Sequence, residues 1–69
     1  MTTIRLGFKA WRVRHGYRQE DVAQKMGMSR ITVQSIELGK RDGRQSFWER
    51  FQETFQVEDK DMWELMKKG

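Results

Sequence analysis

The side chains in this chain that could do chemistry are mostly cations. Fourteen Lys and Arg stand against ten Asp and Glu in 69 residues, a formal net charge of +4. Residues 1–44 carry ten basic and four acidic side chains, a net +6, whereas residues 45–69 carry four basic and six acidic, a net −2. A basic stretch of this kind suits a polyanion, while the last third reads as packing material or a partner surface. Catalysis and metal binding have little to work with. The absence of cysteine removes disulfides and thiolate metal sites, and it fits a reducing, cytoplasmic setting. His15 is the only histidine, so a His-based zinc site or a His-paired nucleophile lacks its usual partners. It is expected at a helix C-terminus, where a cation is favoured. Glu58, Asp59 and Asp61 read as helix caps rather than a catalytic pair. No enzyme activity, cofactor, metal or small-molecule ligand is expected.

The elements that must hold these cations read as helices in a single domain spanning residues 1–69. Proline is absent, so glycine supplies the punctuation. Ile4, Phe8 and Trp11 share one helical face, and Gly16 stops that helix. Gln19, Glu20 and Asp21 open a second helix with Val22, Ala23 and Met26 inside, ended by Gly27. Ser29 caps a third helix with Val33 and Ile36 inside, ended by Gly39. Lys40–Gln45 reads as a loop around Asp42-Gly43. Ser46 with Glu49 forms a capping box ahead of Phe47, Phe51 and Phe55. Asp59 or Asp61 caps a final helix bearing Met62, Leu65 and Met66. The expected fold is therefore all-α, with C-terminal helices over about residues 46–67. No apolar run approaches the roughly 18–20 residues of a membrane span, and no signal-peptide pattern opens the chain.

The most specific segment is Gln19–Leu38. Two short helices crossing at a tight turn need a small residue at the crossing, a residue tolerant of positive φ at the turn, and apolar side chains between them. Ala23 supplies the first and Gly27 the second. Val22, Met26, Met28, Val33 and Ile36 supply the shared core. This is a helix-turn-helix pattern over about residues 19–38, formed by the second and third helices.

The stretch Trp11–Arg41, WRVRHGYRQEDVAQKMGMSRITVQSIELGKR, resembles the phage repressor/Cro family of helix-turn-helix DNA-binding domains. The likeness rests on Arg12, Gly16, Gln19–Glu20, Val22–Ala23, Gly27, Ser29, Thr32–Val33, Ile36–Glu37 and Gly39–Arg41. It implies a compact five-helix bundle whose third helix enters the major groove of double-stranded DNA. Arg30, Ile31, Gln34 and Ser35 would then face the bases: arginine pairs with guanine, glutamine with adenine, and isoleucine meets a thymine methyl. Arg18, Gln19, Thr32, Lys40, Arg41 and Arg44 would contact phosphate. Arg12 and Glu37 would form an ion pair that fixes the geometry of the first and third helices.

The chain departs from the family pattern at three places. Arg18 stands where Ser, Thr or Asn usually caps the second helix. Asp42-Gly43 replaces a loop-closing proline, which predicts a more mobile loop. Leu38 replaces a polar residue and extends Ile31 into an apolar stripe, which suits a protein partner better than phosphate. Trp48, Met62, Trp63 and Met66 exceed what a small core requires and join Ile31 and Leu38 as interface candidates, with capping of the bundle as the alternative role. Two functions follow. One is a Cro-like transcriptional regulator binding a two-fold operator as a dimer. The other is a small switch protein of the same fold that binds another repressor, as antirepressor or co-repressor.

Overall fold

The computed structural model describes residues 3–69, and within them the chain is all-α with five helices. They are α1 (Leu6–Arg14), α2 (Gln19–Met26), α3 (Arg30–Glu37), α4 (Gln45–Phe55) and α5 (Asp59–Met66). The α2 and α3 helices pack on each other, α4 lies against α2, and α1 bridges α3 and α5.

Local sequence accounts for most boundaries. Gly27 ends α2 with φ 69°, a left-handed turn that L side chains adopt at a cost. The Ser29 hydroxyl accepts from the Thr32 backbone N–H at 3.3 Å and so starts α3. Three boundaries differ from the sequence expectation. Helix α1 begins at Leu6, and Ile4 precedes it. Arg5, one turn before Phe8, takes the buried position instead. Helix α4 begins at Gln45, so Ser46 lies inside its first turn and does not cap it. Glu49 bonds the Gln45 side-chain amide at 2.8 Å and is unavailable for a box with Ser46. Glu58, not Asp59 or Asp61, is the N-cap residue of α5. The two aspartates occupy the first turn, where negative charge meets the positive end of the helix dipole.

The core forms around aromatic rings. Phe51 sits 5.4 Å from Phe8, 4.9 Å from Trp11 and 5.0 Å from Phe55, centroid to centroid. Phe8, Phe51, Val22 and Val33 are fully buried. Two interface candidates belong to this core instead: Trp48 is 5% exposed and Met62 8%. A 69-residue bundle needs their area inside, which corrects their assignment to a partner surface. Trp63 at 68% and Met66 at 38% remain outside.

Candidate nucleic-acid interface

The helix α3 has two unlike faces. Val33, Ile36 and Glu37 are buried, Arg30 and Ile31 are exposed, and Gln34 and Ser35 are half-buried between them. The buried face is fixed by an ion pair. Arg12 Nε donates to Glu37 Oε1 at 2.8 Å and Arg12 Nη2 to Glu37 Oε2 at 3.1 Å, a bidentate clamp from α1 to the last residue of α3. Arg12 Nη1 also donates to the Tyr17 carbonyl at 3.0 Å, tying in the start of α2. On the outer face the Arg30 and Gln34 side chains make no hydrogen bond or ion pair among the described residues. Unpaired donors on a rigid helix can read base edges.

The phosphate candidates divide into three groups. Lys40, Arg41 and Arg44 are exposed in the α3–α4 loop, with no side-chain partner among the described residues. Arg41 and Arg44 stand with Thr32 and Arg50 on the rim of a groove of about 640 Å³ between α3 and α4. Arg18 is different. Its guanidinium meets Glu20 at 2.8 Å and Asp21 at 3.2 Å, so its charge is largely answered within its own turn. Asp21 also accepts the Arg18 backbone N–H at 2.8 Å, a capping contact that needs no Ser or Thr. The Arg18 hydrogen bond is the main cause that holds the Asp21 carboxyl below its ordinary range. Gln19 turns inward, its amide donating to Glu37 Oε2 at 3.1 Å, and thereby supports the α1–α3 clamp. The Thr32 hydroxyl is engaged with that of Ser29 at 3.0 Å. Arg18, though exposed, and Gln19 therefore both have partners within the fold.

The apolar stripe narrows. Ile31 is 63% exposed, but Leu38 is half-buried at the end of α3, its carbonyl accepting from Thr3 Oγ1 at 3.0 Å. His15 closes α1, its Nδ1 2.8 Å from the Trp11 carbonyl and its ring against Trp11 and Tyr17.

Sequence reasoning missed Arg5 and Arg50. Arg50 Nη1 donates to the Met26 carbonyl at 3.3 Å, which ties α4 to the end of α2 beside the groove. Arg5 is only 3% exposed and bonds carbonyls from α3, the loop and α5. Burial lowers its pKa, and the nearby Asp42 partly offsets that. One signal was available: Arg5, Phe8 and Arg12 fall at helical steps of three and four on the face that packs inward. The α3–α4 loop, expected to be mobile, is consequently held. Asp42 O accepts from Arg5 Nη2 at 3.0 Å and from Trp48 Nε1 at 3.1 Å, and the Asp42 carboxylate pairs with Lys68.

Among the described residues, no helix is long and apolar enough to cross a membrane, and no group of three or more His, Asp and Glu could hold a metal ion. A family model described as helix-turn-helix matches residues 8–58, more than half of the chain. No curated protein and no solved structure matches it.

Proposed function

Because this chain belongs to the helix-turn-helix family of DNA-binding transcription regulators, we propose that it reads a specific operator with α3 in the major groove, as a dimer on a two-fold site. One observation carries this reading. Arg30 and Gln34 are unpartnered on the outer face of a helix whose inner face is clamped by Arg12 and Glu37. Lys40, Arg41 and Arg44 flank that face as unpaired cations, which are what phosphate contacts require. One recognition helix covers few base pairs, so two copies spaced about 34 Å apart supply useful specificity. Trp63 and Met66 on α5 are the apolar surface for that self-contact.

Binding to random duplex and to a selected operator, measured across a salt series, tests this reading. Log affinity falls by about 0.9 per phosphate neutralised for each unit of log salt. Arg30→Ala costs about 1–3 kcal/mol on the operator and relaxes preference at one base pair, whereas Lys40→Ala weakens all sequences alike. A flat salt dependence, or identical behaviour of the two variants, removes α3 as the reader.

The exposure of Ile31 favours a second reading, a module that binds another repressor. Under that reading Ile31→Ala lowers partner affinity and leaves DNA binding untouched. Under the first reading it weakens DNA binding at a thymine.

A further inference from the structure

We infer that Arg5 is the positioning residue of the phosphate-gripping loop: its buried guanidinium fixes the 38–44 backbone, so that Arg41 and Arg44 stand at the rim of the α3–α4 groove. The inference rests on the DNA reading and adds to it a residue that touches no DNA.

The geometry runs from rigid elements into the loop. Arg5 Nη1 donates to Ile36 O in α3 at 2.6 Å, and Arg5 Nε donates to Met66 O at the end of α5 at 2.8 Å. The remaining donors reach the loop, Nη1 to Arg41 O and Nη2 to Asp42 O, both at 3.0 Å. The Arg5 backbone N–H donates to Glu37 O at 2.8 Å, fixing the stem of the side chain. Trp48 completes the arrangement, its ring 5.4 Å from the guanidinium carbon and its indole N–H on the same Asp42 carbonyl. A planar fork of three nitrogens with five donors can reach carbonyls set apart on several sides, whereas the three donors of an ammonium all leave a single nitrogen. Lysine therefore keeps the charge but not the brace. Arg41 and Arg44 have no side-chain partners of their own among the described residues, so their positions depend on the backbone that carries them.

The test compares wild type with Arg5→Lys and Trp48→Phe, the latter removing the indole N–H and part of the buried ring while keeping an aromatic side chain there. Two quantities are read well below the melting temperature of each protein. One is hydrogen exchange of the Lys40 and Arg41 amides, which bond Ser35 O at 2.9 and 3.2 Å. The other is the salt dependence of affinity for operator and random duplexes. Arg5→Lys is expected to speed exchange of the loop amides about tenfold while the Phe51 amide stays protected. Affinity should fall about tenfold on all duplexes alike, with the salt slope shallower by about 0.9 for each phosphate no longer neutralised. Trp48→Phe should move the same way by less, and it carries the test if Arg5→Lys does not fold. A folded variant with a loosened loop but unchanged affinity and slope makes Arg5 a purely structural brace and overturns the inference. Unchanged loop exchange overturns it too. Wild type that binds no duplex at any salt sinks the DNA reading itself, and the inference with it.

Discussion

The two ends of α3 are built in different ways. At the N-terminus, Ser29 caps Thr32 three residues on, and Gly27 makes the turn just before it. Every part of that end lies within a few residues in sequence. At the C-terminus, Glu37 is held by Arg12, Leu38 O by Thr3, Ile36 O by Arg5, and the Asp42 carboxylate by Lys68. Those partners come from the two extremes of the chain. Local chemistry alone starts α3, whereas at its other end tertiary contacts are added to the local stop at Gly39.

Glu37→Leu should break this contrast most severely. It leaves a mostly buried Arg12 guanidinium and the Gln19 amide without their acceptor, and removing one partner of such a pair costs about 3–5 kcal/mol. Thermal or urea denaturation measures it. A loss under about 1 kcal/mol would show that solvent, not Glu37, satisfies Arg12.

That contrast also decides what was legible in the sequence. The helix-turn-helix, the Ser29 cap and the Arg30–Gln34 face were legible because their signals sit at fixed short spacings. The Arg5 brace was not, because a buried arginine is rare and its acceptors are backbone carbonyls, which carry no residue identity. The same blindness made Asp42-Gly43 read as a mobile loop, although Trp48 and Lys68 tie it down. Trp48 and Met62 were misjudged for a related reason. Apolar excess in a short chain does not reveal which residues face inward. The Arg18–Glu20–Asp21 pairing was local and readable, but competing charge roles hid it.

Two glycines sharpen the comparison. Gly27 and Gly39 are both left-handed, with φ 69° and 77°, and flank α3 on either side. A methyl at Gly27 meets open space, so Gly27→Ala costs only the left-handed strain, about 1–2 kcal/mol. A methyl at Gly39 runs into the Thr3 carbonyl, so Gly39→Ala adds an overpacking cost of about 1–3 kcal/mol. Equal destabilisation of the two variants would show that the chain before α1 does not seat against the end of α3. Ser29→Ala should follow at about 1 kcal/mol, a loss confined to the N-terminal end. Measured by hydrogen exchange, it should leave the Lys40 and Arg41 amides unchanged.

The smallest effect concerns acid. The Lys68 hydrogen bond, with lesser help from the charges of Lys68 and Arg5, holds the Asp42 carboxyl below its ordinary range. For a carboxylate whose folded pKa is depressed, the stabilisation is present above the unfolded value, about 3.9. It is lost as pH falls through the lower folded value. The Asp42 side chain is exposed, so solvent screens the pairing and the global melting temperature should barely respond. The loop should respond first. Below about pH 4, the Trp48 indole resonance should shift and the Lys40 and Arg41 amides should lose protection after correction for intrinsic exchange, while Phe51 stays protected. Asp42→Asn should remove the acid-dependent step and leave the Trp48 bond, which uses the Asp42 backbone carbonyl, in place. If the step persists in that variant, the acid sensitivity belongs to another carboxylate, and the Lys68 contact contributes nothing to the far end of α3.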